Sequence, residues 1–280
     1  IIPAAIVAAA ALPFLSRGNV VLGDAMQFSA LSIFAKESLL RLSYPYWTFY
    51  WYMGSAPLAF YGWLSFLFTG IANLFVSIDW ANKLIFFTIH IGSALLAYKF
   101  VKTATGNTKA AIIAGLAYGL SFEHIGRIMV GRSITTLTYV LTPLLFLINE
   151  LRLNGRISRY KSIAATAAVT SLLILNHQAD AVFIIAIFAI YAALKSIESG
   201  KSKIKAIAAE TVLSFVIAAA VVSFWAVPML LESGEASATG KALEIFTPAV
   251  PQLDSVRELV SWPGKWGDKP FYYIGLSSLL

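Results

Sequence analysis

An all-α fold that crosses a lipid bilayer several times is what this sequence predicts, and three observations predict it. Apolar residues fill 59% of the 280 positions and charged residues only 12%, whereas water-soluble domains run nearer about 45–50% apolar and about 25% charged. Mean hydropathy is +0.76. The 21 Lys and Arg against 14 Asp and Glu give a formal charge of +7, yet the basic residues gather in short clusters between apolar stretches. That is how membrane topology is written, whereas nucleic-acid binding wants a single basic stripe. No cysteine is present, which excludes disulfides and thiolate metal sites.

The chain opens at Ile1 without a methionine and stops at Leu280, where a new apolar stretch begins. It is read as a single transmembrane domain, residues 1–280, cut from a longer protein at both ends. A crossing helix needs about 20 apolar residues, or about 17 at the short end. Candidates are residues 1–15, 56–76, 83–101, 110–122, 134–151, 163–175, 181–194 and 206–231, with a further start at Phe271. The first lacks the basic leader and cleavage site of a signal peptide and is read as a truncated span.

Three connections are basic. Lys99, Lys102 and Lys109 mark the first, Arg152, Arg156, Arg159 and Lys161 the second, and Lys195, Lys201, Lys203 and Lys205 the third. The positive-inside rule puts all three in the cytoplasm. With a cytoplasmic N-terminus they agree only if residues 56–76 do not cross, so that stretch is expected in the external interface as a juxtamembrane or re-entrant helix. The plan is then about seven to eight spans. A first external loop covers residues 16–82, short external turns lie at 123–133 and 176–180, and a second long external loop covers 232–270.

Within the first loop, Asp24 follows Val21-Leu-Gly23 and precedes an expected amphipathic helix over 25–42. Phe28, Leu31, Ala35, Leu39 and Leu42 form its apolar face, with Gln27, Lys36, Glu37 and Arg41 elsewhere. From spacing Asp24 reads first as an N-cap, contributing about 1 kcal/mol, and second as a general base or metal ligand at the membrane surface; the two roles are compatible. Residues 44–52 hold seven aromatics in nine positions, Trp47 among them. Tyr and Trp favour the headgroup level, and their faces also stack on sugar rings. Trp47 and Tyr61 are therefore candidate interface or substrate contacts, as is Trp262 in the turn Trp262-Pro-Gly-Lys-Trp266 of the second loop. That loop reads as a substrate-covering flap or as an interface anchor.

Glu123, His124, Arg127 and Arg132 fall on one expected external turn, and His177 with Asp180 on another. Polar residues near a bilayer are costly and often functional. Arg127 and Arg132 offer paired donors for a lipid phosphate or pyrophosphate, or else snorkel to headgroups. His177 and Asp180 share a helix face and suit a divalent cation, proton transfer or a helix cap; Glu123 and His124 are further acid/base or metal candidates. His90, inside a span, reads as a hydrogen-bonded packing residue. Glu210, near the cytoplasmic end of its span, is expected to stay near water. No nucleotide-phosphate loop, nucleophile elbow or zinc-protease helix occurs.

The order Gly23-Asp24, an amphipathic helix, Tyr44-Pro-Tyr-Trp47, then Gly54-Ser-Ala-Pro57-Leu-Ala-Phe-Tyr61-Gly62 resembles the first external loop of GT-C-type membrane glycosyltransferases. The nearest likeness is to the prokaryotic membrane proteins known as 6-pyruvoyl-tetrahydropterin synthase-related. Arg132 with Leu141-Thr-Pro143, Leu175-Asn-His177-Gln-Ala-Asp180 and Phe224-Trp-Ala-Val-Pro228 fit as well, so the likeness covers most of the chain. It implies a GT-C fold in a prokaryotic plasma membrane, with the active side external. It also implies transfer of a sugar from a polyprenyl-phosphate donor, with Asp24 as the first-loop acid. Several GT-C families pair two acids there, whereas here no second acid comes before Glu37. A divalent metal ion is the one cofactor the pattern allows. The expected partners are membrane lipids, the lipid-linked sugar and other membrane proteins, without nucleic acid. The alternative is a non-catalytic subunit or scaffold that keeps the fold. A transporter ranks last, because it usually needs ionisable groups or broken helices near the midplane.

Overall fold

The computed structural model describes residues 1–16, 25–44, 48, 58, 62–129, 133–198 and 201–232. About 87% of the described residues are helical, and none lies in a strand. In chain order the helices are α1 (Ile2–Ala11, continued by a 3-10 turn Leu12–Leu15), α2 (Ala25–Leu40), α3 (Leu64–Ala72) and α4 (Ile78–Thr105). They continue with α5 (Thr108–Gly119), α6 (Phe122–Met129), α7 (Ser133–Thr136) and α8 (Thr138–Leu153). The last three are α9 (Arg159–Asn176), α10 (Gln178–Glu198) and α11 (Lys201–Glu232).

Local chemistry explains several boundaries. Asn107 caps α5, its side chain accepting from the N–H groups of Lys109 and Ala110, while Gly106 ends α4 in the left-handed region at φ 71°. Two residues thus make the α4–α5 hairpin, and glycine is the residue that adopts such a φ without strain. Ser158 caps α9 by accepting from Lys161 N–H. Between α9 and α10 only His177 is extended, so the connection expected over 176–180 is a single-residue break, and Asp180 already lies in the first turn of α10. The turn expected over 123–133 contains instead the two turns of α6, whose start is capped by Ser121 Oγ accepting from His124 N–H at 3.4 Å.

Three helices are long and apolar enough to cross a membrane: Ile78–Thr105, Gln178–Glu198 and Ile204–Leu231. At about 1.5 Å per residue each reaches or exceeds the roughly 30 Å hydrocarbon layer. Helix α3 has nine residues and cannot reach across; it packs its Phe66 against Phe28, Leu31 and Ala35 of α2. Helix α2 follows the expected face through Phe28, Leu31 and Ala35 but not to Leu42. The helix ends at Leu40, and Leu42, at φ 50°, is 97% exposed. A backbone that has turned left-handed no longer carries its side chain along the helical stripe.

Two kinds of packing hold the bundle. Leu141, Leu145 and Ile148 of α8, Val169 and Leu173 of α9, and Ala181 and Phe188 of α10 form one buried cluster. At the other flank small residues bring backbones close: a Cβ built on Gly115 would lie 2.9 Å from the Ala94 carbonyl and 2.9 Å from Pro3. That is the close approach favoured where lipid removes the hydrophobic drive between helices.

The basic connections meet at one end. Asn154 Nδ2 donates to Thr103 O at 3.3 Å, and Tyr191 O–H donates to Glu150 Oε1 at 2.5 Å. Arg152 donates from Nε to Glu210 Oε2 at 3.0 Å and from Nη2 to Oε1 at 2.9 Å, with Arg159 Nε 3.4 Å away. Glu210 therefore does not sit in water as expected; its residue is 6% exposed. Two guanidinium groups supply the countercharge that lets it be buried.

Candidate functional site

The opposite end carries the polar cluster. His177 closes α9, and the N–H of Asp180 faces its Nδ1 at 3.3 Å, while Asp180 Oδ2 lies 3.1 Å from the same nitrogen. One nitrogen cannot accept and donate at once, so the tautomer of His177 selects between the two contacts. Arg127 of α6 reaches the same Asp180 oxygen, its Nη1 at 3.7 Å. That spacing is an ion pair too long for a direct hydrogen bond. Beside it lies a pocket of about 190 Å³, lined by Tyr118, Arg127, Tyr139, Thr142, Asp180 and Phe183 among others. A cation and an anion in the lining together with aromatic rings suit a ligand that is charged in one part and apolar or ring-shaped in another.

His124 lies on the same short helix as Arg127 but is wholly buried. Its ring stacks on Tyr139 with centroids 4.2 Å apart and 7° between planes, and meets His90 edge-on at 4.7 Å. Nδ1 lies 3.5 Å from Ser93 Oγ, and Nε2 has no partner among the described residues. Burial, with the nearby His90 and Arg127 charges adding to it, pushes its pKa down to about 3. It stays neutral near pH 7, packed between two rings and the Ser93 hydroxyl. His90 is also buried, but its Nδ1 has no hydrogen-bond partner among the described residues.

Behind the cluster Ser65 Oγ donates to Asn176 Oδ1, and Trp225 Nε1 donates to Leu58 O at 3.0 Å. A Cβ on Gly62 would fall 1.9 Å from the Asn176 carbonyl oxygen. The chain before α3 is thus seated on the α9–α10 break.

Of the candidates from sequence, the fold brings Arg127, His177 and Asp180 together and turns His124 inward. Glu123 lies in α6, its side chain outside the described part, and Asp24, Arg132, Trp47, Tyr61 and Trp262 lie outside the described residues. Among the described residues no three His, Cys, Asp or Glu side chains gather as a metal site would require. Sequence reading missed Tyr118 and Tyr139, whose positions on the pocket wall depend on helix packing. It also missed Lys83, counted as the first residue of an apolar span. Lys83 is 4% exposed, donates from Nζ to Ser16 O at 2.6 Å, and has its Nζ 5.3 Å from the Trp80 ring centroid. The available signal was a lone cation bordering a long apolar run.

Long apolar helices and close helix contacts through small residues define an integral membrane protein of helical type. Residues 56–280 match the family described as 6-pyruvoyl-tetrahydropterin synthase related domain, a membrane protein family, and the chain belongs to it. No curated relative and no solved structure matches the chain.

Proposed function

We propose that this protein is a GT-C-like membrane glycosyltransferase that takes a sugar from a polyprenyl-phosphate donor on the external face of a prokaryotic plasma membrane. The observation that carries the reading is Arg127 in the pocket lining, ion-paired with Asp180 at 3.7 Å, at the end opposite the basic connections. The planar donors of a guanidinium match the oxygens of a phosphate. Under the positive-inside rule the basic end is cytoplasmic, which turns this pocket outward. The reading includes seven to eight spans, counting α1, α5, α8, α9 and the start at Phe271 with the three long helices.

In the proposed reaction Asp24 takes the proton of an acceptor hydroxyl. The acceptor oxygen then bonds to the anomeric carbon, and the prenyl phosphate leaves with the electrons of the broken C–O bond. Arg127 and Arg132 stabilise the charge on the leaving phosphate, a term that grows in the transition state. A divalent ion at Asp24 would share that role. Trp47, Tyr61 and Trp262 are the proposed contacts to the sugar or the interface.

One observation favours the second reading, a non-catalytic subunit that binds lipid or a membrane protein: Asp180 is engaged by both His177 and Arg127, as a structural acid would be. Transfer from a polyprenyl-phosphate sugar in membranes decides between them. Asp24→Asn abolishes transfer in the folded protein if the first reading holds. Unchanged transfer removes Asp24 from the mechanism, and no transfer by the native chain, with co-purification in a stable complex, supports the subunit.

A further inference from the structure

Asp180 meets its two basic neighbours through one oxygen only. Arg127 Nη1 at 3.7 Å and His177 Nδ1 at 3.1 Å both approach Oδ2. Oδ1 accepts no hydrogen bond among the described residues. The side chain is 26% exposed and lines the same pocket as Arg127. A carboxylate oxygen can only accept, so a ligand that meets Oδ1 brings a donor. The Arg127 guanidinium already balances the carboxylate charge, which favours a neutral donor over a cation.

The threonines of the pocket add to this demand. Thr142 Oγ1 donates to Thr138 O at 2.7 Å, and Thr138 Oγ1 donates to Thr135 O. A hydroxyl has one hydrogen and two lone pairs, so with their hydrogens given to the backbone these oxygens also only accept. Arg127 only donates. A phosphate serves Arg127 and leaves Asp180 and the threonines unmet, whereas an ammonium serves Asp180 and leaves Arg127 unmet. Hydroxyl groups answer both. Tyr118, Tyr139 and Phe183 add ring surfaces; Tyr139 has one face covered by His124, and Phe183 is 62% exposed. At about 190 Å³ the pocket is smaller than the roughly 300–1,000 Å³ of drug-sized ligand sites. A single ring suits it better than a chain of them.

We propose that this pocket binds one neutral, polyhydroxylated ring, a sugar. Its hydroxyls donate to Asp180 Oδ1 and Thr142 Oγ1, its C–H face packs on Phe183, and Asp180 selects against an acidic sugar. This deepens the proposed function and rests on it only for calling the ring the transferred sugar, with the phosphate on Arg127. A non-catalytic subunit would bind a sugar through the same groups.

The test uses the purified chain in a polyoxyethylene micelle, which carries no sugar, and reads binding by saturation-transfer NMR titration. The probes are the methyl glycosides of glucose, mannose and galactose, then glucosamine, glucuronate and cyclohexanol. At least one neutral glycoside binds, and glucuronate and cyclohexanol bind at least about tenfold more weakly. Asp180→Asn weakens the neutral glycoside about tenfold or more and erases the discrimination against glucuronate, a change that a purely structural acid would not produce. Phe183→Ala, at an exposed position, weakens binding too and serves if Asp180→Asn does not fold. Binding by none of the neutral glycosides overturns the proposal, as does unchanged binding in Asp180→Asn. Glucuronate or cyclohexanol binding as well as the best glycoside, or glucosamine binding more tightly than the glucoside, also overturns it. No lipid phosphate enters these measurements, so a failed transfer assay sinks the transferase and leaves this site standing.

Discussion

Arg152 clasps Glu210 through two hydrogen bonds of 3.0 and 2.9 Å, joining the end of α8 to the third turn of α11 across 58 positions of sequence. The hydrogen bonds to Glu210 hold the Arg152 guanidinium even more firmly protonated than usual. Only the carboxylate is deeply buried, with side-chain exposures of 7% for Glu210 and 32% for Arg152. Removing the arginine therefore strands a charge, whereas removing the acid releases one. Arg152→Met should cost about 1.5–3 kcal/mol, the range for hydrogen bonds to charged groups, with Arg159 limiting the damage. Glu210→Gln should cost less. Thermal unfolding in detergent checks both; a larger loss for Glu210→Gln contradicts the ordering.

Gly62 is the tightest backbone contact at the opposite end. Gly62→Ala puts a methyl 1.9 Å from a carbonyl oxygen that belongs to backbone and cannot swing away. Destabilisation of about 3 kcal/mol or more is expected from such overpacking. Gly126, in α6 with nothing within 4 Å of its built Cβ, is the control. Gly126→Ala should be neutral or gain about 0.5–1 kcal/mol from helix propensity. Similar unfolding midpoints for the two variants would refute the seating of Gly62 against Asn176.

His124 makes stability depend on pH. Its folded pKa of about 3 lies below its ordinary 6.5, so the unfolded chain binds the extra proton. The contribution is complete above pH 6.5 and is lost as pH falls towards 3, at about 1.4 kcal/mol per pH unit. His124→Phe keeps a ring against Tyr139 and should flatten that slope. Denaturant midpoints measured between pH 7 and pH 4 test this, and an unchanged slope in the variant counts against it.

Much of the architecture was legible because lipid imposes long apolar runs and because basic clusters mark the connections: the helix breaks at Gly106 and Ser158 fall inside two of them. Counting basic residues also put Arg127 and Asp180 on one side, and the fold brings them within 3.7 Å. What escaped depends on partners remote in sequence. Glu210 looked like a solvated acid until Arg152 and Arg159 were placed beside it. Lys83 looked like the edge of a span until the Ser16 carbonyl was placed against its ammonium. Leu42 fitted a helical stripe that the backbone abandons two residues earlier, and nothing in an apolar periodicity marks a left-handed residue other than glycine. The family likeness was legible in residue order, while Asp24 and Arg132, on which the proposed chemistry leans, lie outside the described residues.

In the proposed orientation the Arg127–Asp180 end faces outward and the basic connections face the cytoplasm. The natural absence of cysteine makes it directly measurable. Single cysteines at exposed positions, Gly126→Cys at one end and Thr105→Cys and Tyr160→Cys at the other, are treated in intact cells with a membrane-impermeant maleimide. Labelling of Gly126→Cys in intact cells, and of the other two only after permeabilisation, is the predicted result. Labelling of Thr105→Cys and Tyr160→Cys in intact cells, with Gly126→Cys protected, would contradict it.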